Sequence, residues 1–154
     1  MTQLQAGDMA PDFKSTTQDG ETLTLADLKG QRTILYFYPK DNTPGCTAQA
    51  CDLRDNYGAL TDAGYQVIGV SVDPPESHRK FAARHSLPFP LVADTDHRLV
   101  ELTGVWGEKK LAGRTYMGTR RTTFIIGTDG IVERVITPRE VKTKTHASQI
   151  LAGE

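Results

Sequence analysis

The sequence predicts an α/β fold, a central mixed β-sheet flanked by helices with a small β-hairpin at the N-terminus. Three observations carry this. The run 33–38 is continuously apolar, aromatic or β-branched, as a strand buried on both faces is, and 66–72 reads as a second buried strand. Segments with apolar residues at helical spacing follow each run. Late in the chain, 122–126 and 131–136 flank Gly127-Thr128-Asp129-Gly130, a strong hairpin signal. A chain of 154 residues without repeats or linkers suits one domain, 1–154, with a core that needs no staples.

Taken in order, Gly7 to Phe13 reads as an irregular lead-in, and Gln18-Asp19-Gly20-Glu21 as the turn of a hairpin spanning Phe13 to Leu25. Ala26 to Gly30 resembles a helical turn ended by glycine. Thr33 to Tyr38 is the central strand. The next helix runs from about Thr43 to Ala63, with Leu53, Tyr57 and Leu60 at helical spacing and Gly64 as its stop. Gln66 to Val72 is the second strand, broken by Asp73-Pro74-Pro75. Glu76 to His85 reads as a helix with Phe81 and Ala82 facing inward. Pro90 to Asp94 is a short strand, His97 to Thr103 a short helix, and His146 to Leu151 a closing helix. The order β-α-β-α…β-β-α matches a thioredoxin-like arrangement, in which the first strand-to-helix turn is the expected active-site position.

Composition narrows the partners. Hydrophobic residues at 38% and charged residues at 24% exclude a disordered chain, and a net charge of -1 gives no electrostatic reason to expect nucleic acid or a membrane surface. No apolar run approaches the roughly 20 residues of a membrane span. The N-terminus shows no secretory pattern, so a cytoplasmic location is the default expectation.

The only two cysteines, Cys46 and Cys51, fall where the central strand gives way to a helix. Thr43 is a good N-cap and Pro44 suits the first helical position, which makes Gly45 N2 and Cys46 N3. The Thr43 hydroxyl is then expected at the N2 or N3 amide, and Gly45 is expected to leave room for a small substrate. Open amides and the positive end of the helix dipole favour a thiolate, the reactive form of cysteine. On an ideal helix a spacing of five separates two Cα atoms by roughly 8.6 Å and rotates them about 140° apart. A disulfide tolerates at most about 7 Å. A Cys46–Cys51 disulfide therefore requires part of the helix to unwind.

Other readings of the pair are two buried small hydrophobes or a metal site. The capped position argues against the first. The lack of a second cysteine or histidine pair argues against the second, with His78, His85, His97 and His146 scattered as surface or satisfied residues. A thioredoxin-type redox site would use C-x-x-C, which is missing.

The run Pro39-x-x-x-Thr43-x-x-Cys46 resembles the peroxiredoxin signature. Tyr36-Phe37-Tyr38-Pro39 through Thr43-Pro44-Gly45-Cys46-Thr47 is similar to the bacterioferritin comigratory protein (peroxiredoxin Q) subgroup. The likeness covers nearly the whole chain, including Gly7-Asp8-x-Ala10-Pro11-Asp12-Phe13, Val105 to Lys109 and Arg121-x-Thr123-Phe124-Ile125-Ile126. It implies a thiol peroxidase that reduces hydrogen peroxide and organic hydroperoxides without metal, haem or flavin. Cys46 would be the peroxidatic cysteine, oxidised to a sulfenic acid, and Cys51 the resolving cysteine that condenses with it. Pro39 would shield the thiolate, Thr43 would hydrogen-bond Cys46 and the peroxide, and Arg121 would stabilise the thiolate and the leaving oxygen. Gln49, one turn from Cys46, is a supporting candidate, and Trp106 a packing aromatic. The resemblance implies thioredoxin, or glutaredoxin, as reductant, and a monomer. The competing reading is a general dithiol-disulfide oxidoreductase on the same fold.

Overall fold

The computed structural model describes residues 3–153. The expected N-terminal hairpin is β1 (Lys14–Thr16) paired antiparallel with β2 (Thr22–Thr24), and α1 (Leu25–Leu28) follows at once. A capping box starts that helix: the Thr24 amide donates to Asp27 Oδ2 at 2.9 Å and the Asp27 amide to Thr24 Oγ1 at 3.4 Å. The remaining elements are β3 (Arg32–Phe37), α2 (Pro44–Asp55), α3 (Tyr57–Asp62), β4 (Tyr65–Ser71), α4 (Pro75–His85), β5 (Leu91–Ala93), α5 (Arg98–Leu102), β6 (Trp106–Leu111), β7 (Arg114–Thr119), β8 (Thr122–Ile126), β9 (Val132–Ile136) and α6 (His146–Ala152).

The main sheet has the order β5-β4-β3-β8-β9, parallel from β5 to β3 and antiparallel from β3 to β9. Side chains alternate across β3, so its two faces feed separate cores. Ile34, Tyr36 and Tyr38 pack with Ala50 and Leu53 of α2, Phe81 of α4 and Ile150 of α6. Leu35 and Phe37 pack on the other side with Phe124, Val70, Leu99, Val100 and the α1 residues Leu25 and Leu28. Helices therefore cover both faces, and the predicted mixed α/β architecture is the observed one.

Two elements differ from expectation. The single helix 43–63 is broken at Asn56 (φ -110°, ψ 14°) into α2 and α3. Asn56 turns its side chain back, Nδ2 donating to the Asp52 carbonyl at 2.8 Å beside its own amide at 3.1 Å, the competition that disfavours Asn inside helices. The second is the hairpin β6–β7, which pairs Trp106 with Thr119 through Leu111 with Arg114. Its two-residue turn, Ala112 (φ 51°) and Gly113 (φ 80°), has the twist that two-residue hairpins require. Neither strand has a consistently buried face, so no apolar alternation marks it in the sequence.

Gly69 lies opposite Tyr36 in the parallel pairing of β3 and β4. A Cβ there would stand 2.8 Å from Leu91 Cδ2 and 3.0 Å from two atoms of the Tyr36 ring. Gly69→Ala is expected to destabilise the protein by about 1–3 kcal/mol, read as a lower urea midpoint at unchanged slope.

His146 is buried at the start of α6, its Nε2 2.8 Å from Thr123 Oγ1 and its Nδ1 3.0 Å from Gln149 Oε1. Burial above all, then the positive charges of Arg121 and Arg134, push its pKa down to about 4, against the hydrogen bond to Gln149. In the unfolded chain His146 takes its proton near 6.5. Between those values the unfolded state binds the extra proton, so stability falls as pH drops from 6.5 to 4, by roughly 3 kcal/mol at full extent. Urea unfolding at pH 7, 5.5 and 4 should show that loss, and His146→Gln should lose the part that belongs to this residue.

Candidate active site

The site forms where β3 ends and the chain turns into α2. Pro39 and Thr43 are half-buried on this connection, and Asn42 adopts a left-handed φ of 63°. That turn brings the Lys40 carbonyl to the Thr43 hydroxyl, which donates to it at 2.9 Å and makes no cap hydrogen bond to the helix. The expected side-chain cap is therefore absent. The Thr43 carbonyl still accepts from the Thr47 amide at 2.9 Å, with Pro44 at N1 and Cys46 at N3 as counted from the sequence. The amides of Gly45 and Cys46 are left uncapped, and the Thr43 oxygen keeps its lone pairs free to accept.

The buried stripe of α2 is Cys46, Gln49, Ala50 and Leu53, an i, i+3, i+4, i+7 set that seats Cys46 in the core with 1% exposure. Arg121 reaches it from the residue before β8. Its Nη2 donates to Cys46 Sγ at 3.3 Å and its Nη1 to Gln49 Oε1 at 2.7 Å. Gln49 thus orients the guanidinium that faces the sulphur. A Cβ on Gly45 would lie 3.2 Å from Arg121 Nη2, so the glycine makes room for the arginine, a different use from the substrate clearance expected of it.

Cys51 sits on the same unbroken helix, half-buried and off the core stripe, and both cysteines are free thiols. Its Sγ lies 3.7 Å from His85 Nδ1 at the end of α4. The histidines divide accordingly. His78 and His146 are buried and satisfied, His97 packs its ring 4.3 Å from that of Trp106, and His85 faces a cysteine. His85 is half-buried, with Cys51 Sγ as the partner of its Nδ1.

Two further residues lie close enough to Cys46 to feel its charge. Tyr36 is fully buried, its hydroxyl has no hydrogen-bond partner among the described residues, and burial followed by the charges of Cys46 and Asp41 holds its pKa well above the usual range. Lys109 on β6 donates to the Thr119 carbonyl at 3.0 Å; burial and then Arg121 lower its pKa, while the Cys46 charge opposes them. Tyr36 was legible only as a core aromatic. Lys109 lies in the Val105 to Lys109 stretch of the family likeness, but its approach to the site shows only with the β6–β7 hairpin in hand.

Asp41 anchors the lead-in loop. It accepts from Tyr38 (2.6 Å) and Ser77 (2.7 Å), and its Oδ2 lies 2.6 Å from His78 Nδ1. Burial raises the Asp41 pKa most, but the bonds from His78, Tyr38 and Ser77 together leave it lowered. Asp41, Asp73 and His78 bring ligand-type atoms within 4.8 Å of one another, but these atoms are already engaged. Asp73 Oδ2 accepts from the Asp41 amide and Ser71, and His78 Nε2 lies 2.9 Å from the Val92 carbonyl.

A mixed sheet with a cysteine at the first turn of the helix after its central strand defines a thioredoxin-like thiol enzyme. Residues 6–135 match the AhpC/TSA family model, and the chain belongs to that family, the peroxiredoxins. It is 48% identical to peroxiredoxin Bcp of Escherichia coli (strain K12) over 98% of this chain and 96% of that one. Among solved structures it is similar to a cysteine-to-serine mutant of Xylella fastidiosa PrxQ (TM-score 0.91, 30% identity, 99% and 96% covered). It is also similar to the Xanthomonas campestris bacterioferritin comigratory protein (TM-score 0.87, 33% identity, 97% and 94% covered), whose structures were determined to study its alkyl peroxide reduction. The chain is a peroxidase of the oxidoreductase class.

Arg121 is the cation in hydrogen-bond contact with the sulphur. Arg121→Gln is expected to lower kcat/KM for hydrogen peroxide on the order of 10²-fold or more, the loss typical of one electrostatic donor. Gln49→Ala, which frees the guanidinium without removing it, should give a smaller loss in the same assay.

Proposed function

We propose that this chain reduces hydrogen peroxide and organic hydroperoxides with Cys46 as the attacking thiolate and Cys51 as the resolving thiol, and that thioredoxin or glutaredoxin restores the pair. The observation that carries the reading is the contact of Arg121 Nη2 with Cys46 Sγ at the uncapped start of α2. In the first step the sulphur attacks the nearer peroxide oxygen, the O–O bond breaks, and the second oxygen leaves as hydroxide or alkoxide and takes up a proton. Negative charge moves from sulphur to the leaving oxygen. Arg121 and the amides of Gly45 and Cys46 face that charge, and the Thr43 oxygen can accept from the peroxide O–H. Pro39, half-buried beside them, restricts water.

The second step joins Cys46 to Cys51. Both lie inside one continuous helix, so α2 must open. Opening near Cys51 also frees Asp52, whose Oδ2 accepts from the Ala147 amide at 2.8 Å and ties α2 to α6. A reducing compartment such as the cytoplasm suits a pair that returns to thiols after each turnover.

The test is thioredoxin-coupled consumption of hydrogen peroxide and an organic hydroperoxide, with mass spectrometry after one equivalent of peroxide. Activity should vanish in Cys46→Ser. The wild type should carry an intramolecular Cys46–Cys51 disulfide and lose helical circular dichroism as it forms. A persistent sulfenic acid, or a disulfide between two chains, would remove Cys51 from the resolving role.

A further inference from the structure

We infer that His85 is the general base that takes the proton from Cys51 when the disulfide forms; this rests on the resolving role proposed for Cys51. His85 Nδ1 lies 3.7 Å from Cys51 Sγ, a contact between α4 and α2 across the edge of the core. The ring is held from two sides. Phe81, one turn earlier on α4, packs edge-on against it with centroids 5.2 Å apart and planes at 73°. The His85 carbonyl accepts from Arg54 Nη1 at 2.7 Å, so the residue three positions on from the cysteine, on the same helix, grips the histidine backbone.

Competing bases are engaged elsewhere. Asp52 Oδ2 accepts from the Ala147 amide, and Asp55 Oδ1 is paired with Arg54 Nη2 at 2.8 Å. Of the titratable and charged groups on α2, Cys51 faces the imidazole, while Arg54, paired with Asp55, reaches the His85 carbonyl. From its own helix the ring meets Phe81. Arg54 is close enough to feel the charge of a Cys51 thiolate, so it favours the product of the proton transfer.

The step balances. The Cys51 S–H bond breaks and its proton goes to His85 Nδ1. The freed sulphur pair forms the S–S bond to Cys46, and the S–O bond of the Cys46 sulfenic acid breaks. The departing hydroxide takes a proton from solvent or from the imidazolium and leaves as water. Cys51 is oxidised and the Cys46 sulphur reduced, with no outside redox partner. Proton transfer takes place while α2 is still wound, because unwinding carries Cys51 away from His85 toward Cys46.

The experiment is single-turnover disulfide formation after one equivalent of hydrogen peroxide, quenched by thiol alkylation and read by mass spectrometry from pH 5.5 to 9. His85→Phe keeps the aromatic packing on Phe81 and removes the nitrogen. It should slow disulfide formation about 10²-fold at pH 7, leave sulfenic acid formation at the wild-type rate, and turn the pH profile into one that rises with hydroxide throughout. In His85→Ala, added imidazole should restore part of the rate, which a purely structural side chain would not allow. Disulfide formation in His85→Phe at the wild-type rate overturns the inference, and faster formation overturns it by making the contact a latch. The wild-type arm tests the resolving role separately: no Cys46–Cys51 disulfide there removes that reading, and the base with it.

Discussion

The antiparallel register of β3 against β8 pairs Phe37 with Thr122, so the last residue of the central strand lies beside the first of its neighbour. Arg121 precedes that pair and the turn toward α2 follows it. A one-residue slip would send every alternate side chain of β8 to the opposite face. The register is fixed by apolar demand on both faces: Phe124 meets Phe37 edge-on at 5.7 Å in one core, while Ile125 faces the other. The hydrophobic effect therefore sets where the guanidinium emerges. Gln49 and the missing side chain of Gly45 complete its placement over Cys46.

The cysteine-bearing helix answers to two demands. Its buried stripe, Cys46, Gln49, Ala50 and Leu53, runs along the helix into the larger aromatic core. The face that carries Cys51 is held by polar contacts: Cys51 to His85, Asp52 to the Ala147 amide and Arg54 to the His85 carbonyl. Hydrogen bonds at a half-exposed surface are worth about 1 kcal/mol each, against about 1.5–3 kcal/mol for a fully buried apolar side chain. The face that carries Cys51 is thus held more weakly than the stripe that ends in Leu53. The break at Asn56 already limits the helix to Asp55, so an opening on this side need not propagate into α3.

Much of this was legible in the residues. The strands with continuous apolar runs, the β8–β9 hairpin around Gly127 to Gly130, and the placement of Cys46 at N3 all follow from local patterns, and tertiary packing agrees with them. Arg121 stood out only through the family likeness, because nothing local separates it from Arg120. Illegible features were those decided by partners distant in sequence. The Thr43 hydroxyl turned to Lys40 because Asn42 is left-handed. The hairpin carrying Lys109 has no buried face to print a period. The partner of Cys51 is 34 residues away on another helix, and spacing carries no such information.

The lead-in loop is fastened independently of the Cys51 side of α2. His78 Nε2 faces a carbonyl oxygen, which can only accept, so that nitrogen carries a proton; Nδ1 faces the Asp41 carboxyl. A proton is therefore shared between His78 and Asp41, in a cluster where Tyr38 and Ser77 also donate to the carboxyl. A buried pair so completely hydrogen-bonded is costly to break from one side, whatever its net contribution to stability. The Asp41 amide, held by Asp73 at 2.7 Å, adds a backbone tie. The turn holding Thr43 and the start of α2 is fastened to α4 by His78, while the far end touches the same helix through His85, seven residues on. One helix thus holds the Thr43 end through the buried His78–Asp41 contact and the Cys51 end through His85, whose ring meets Cys51 and whose carbonyl accepts from Arg54. On the resolving role proposed for Cys51, that difference favours an opening of α2 from the Cys51 side, with Thr43 and the Cys46 turn held in place.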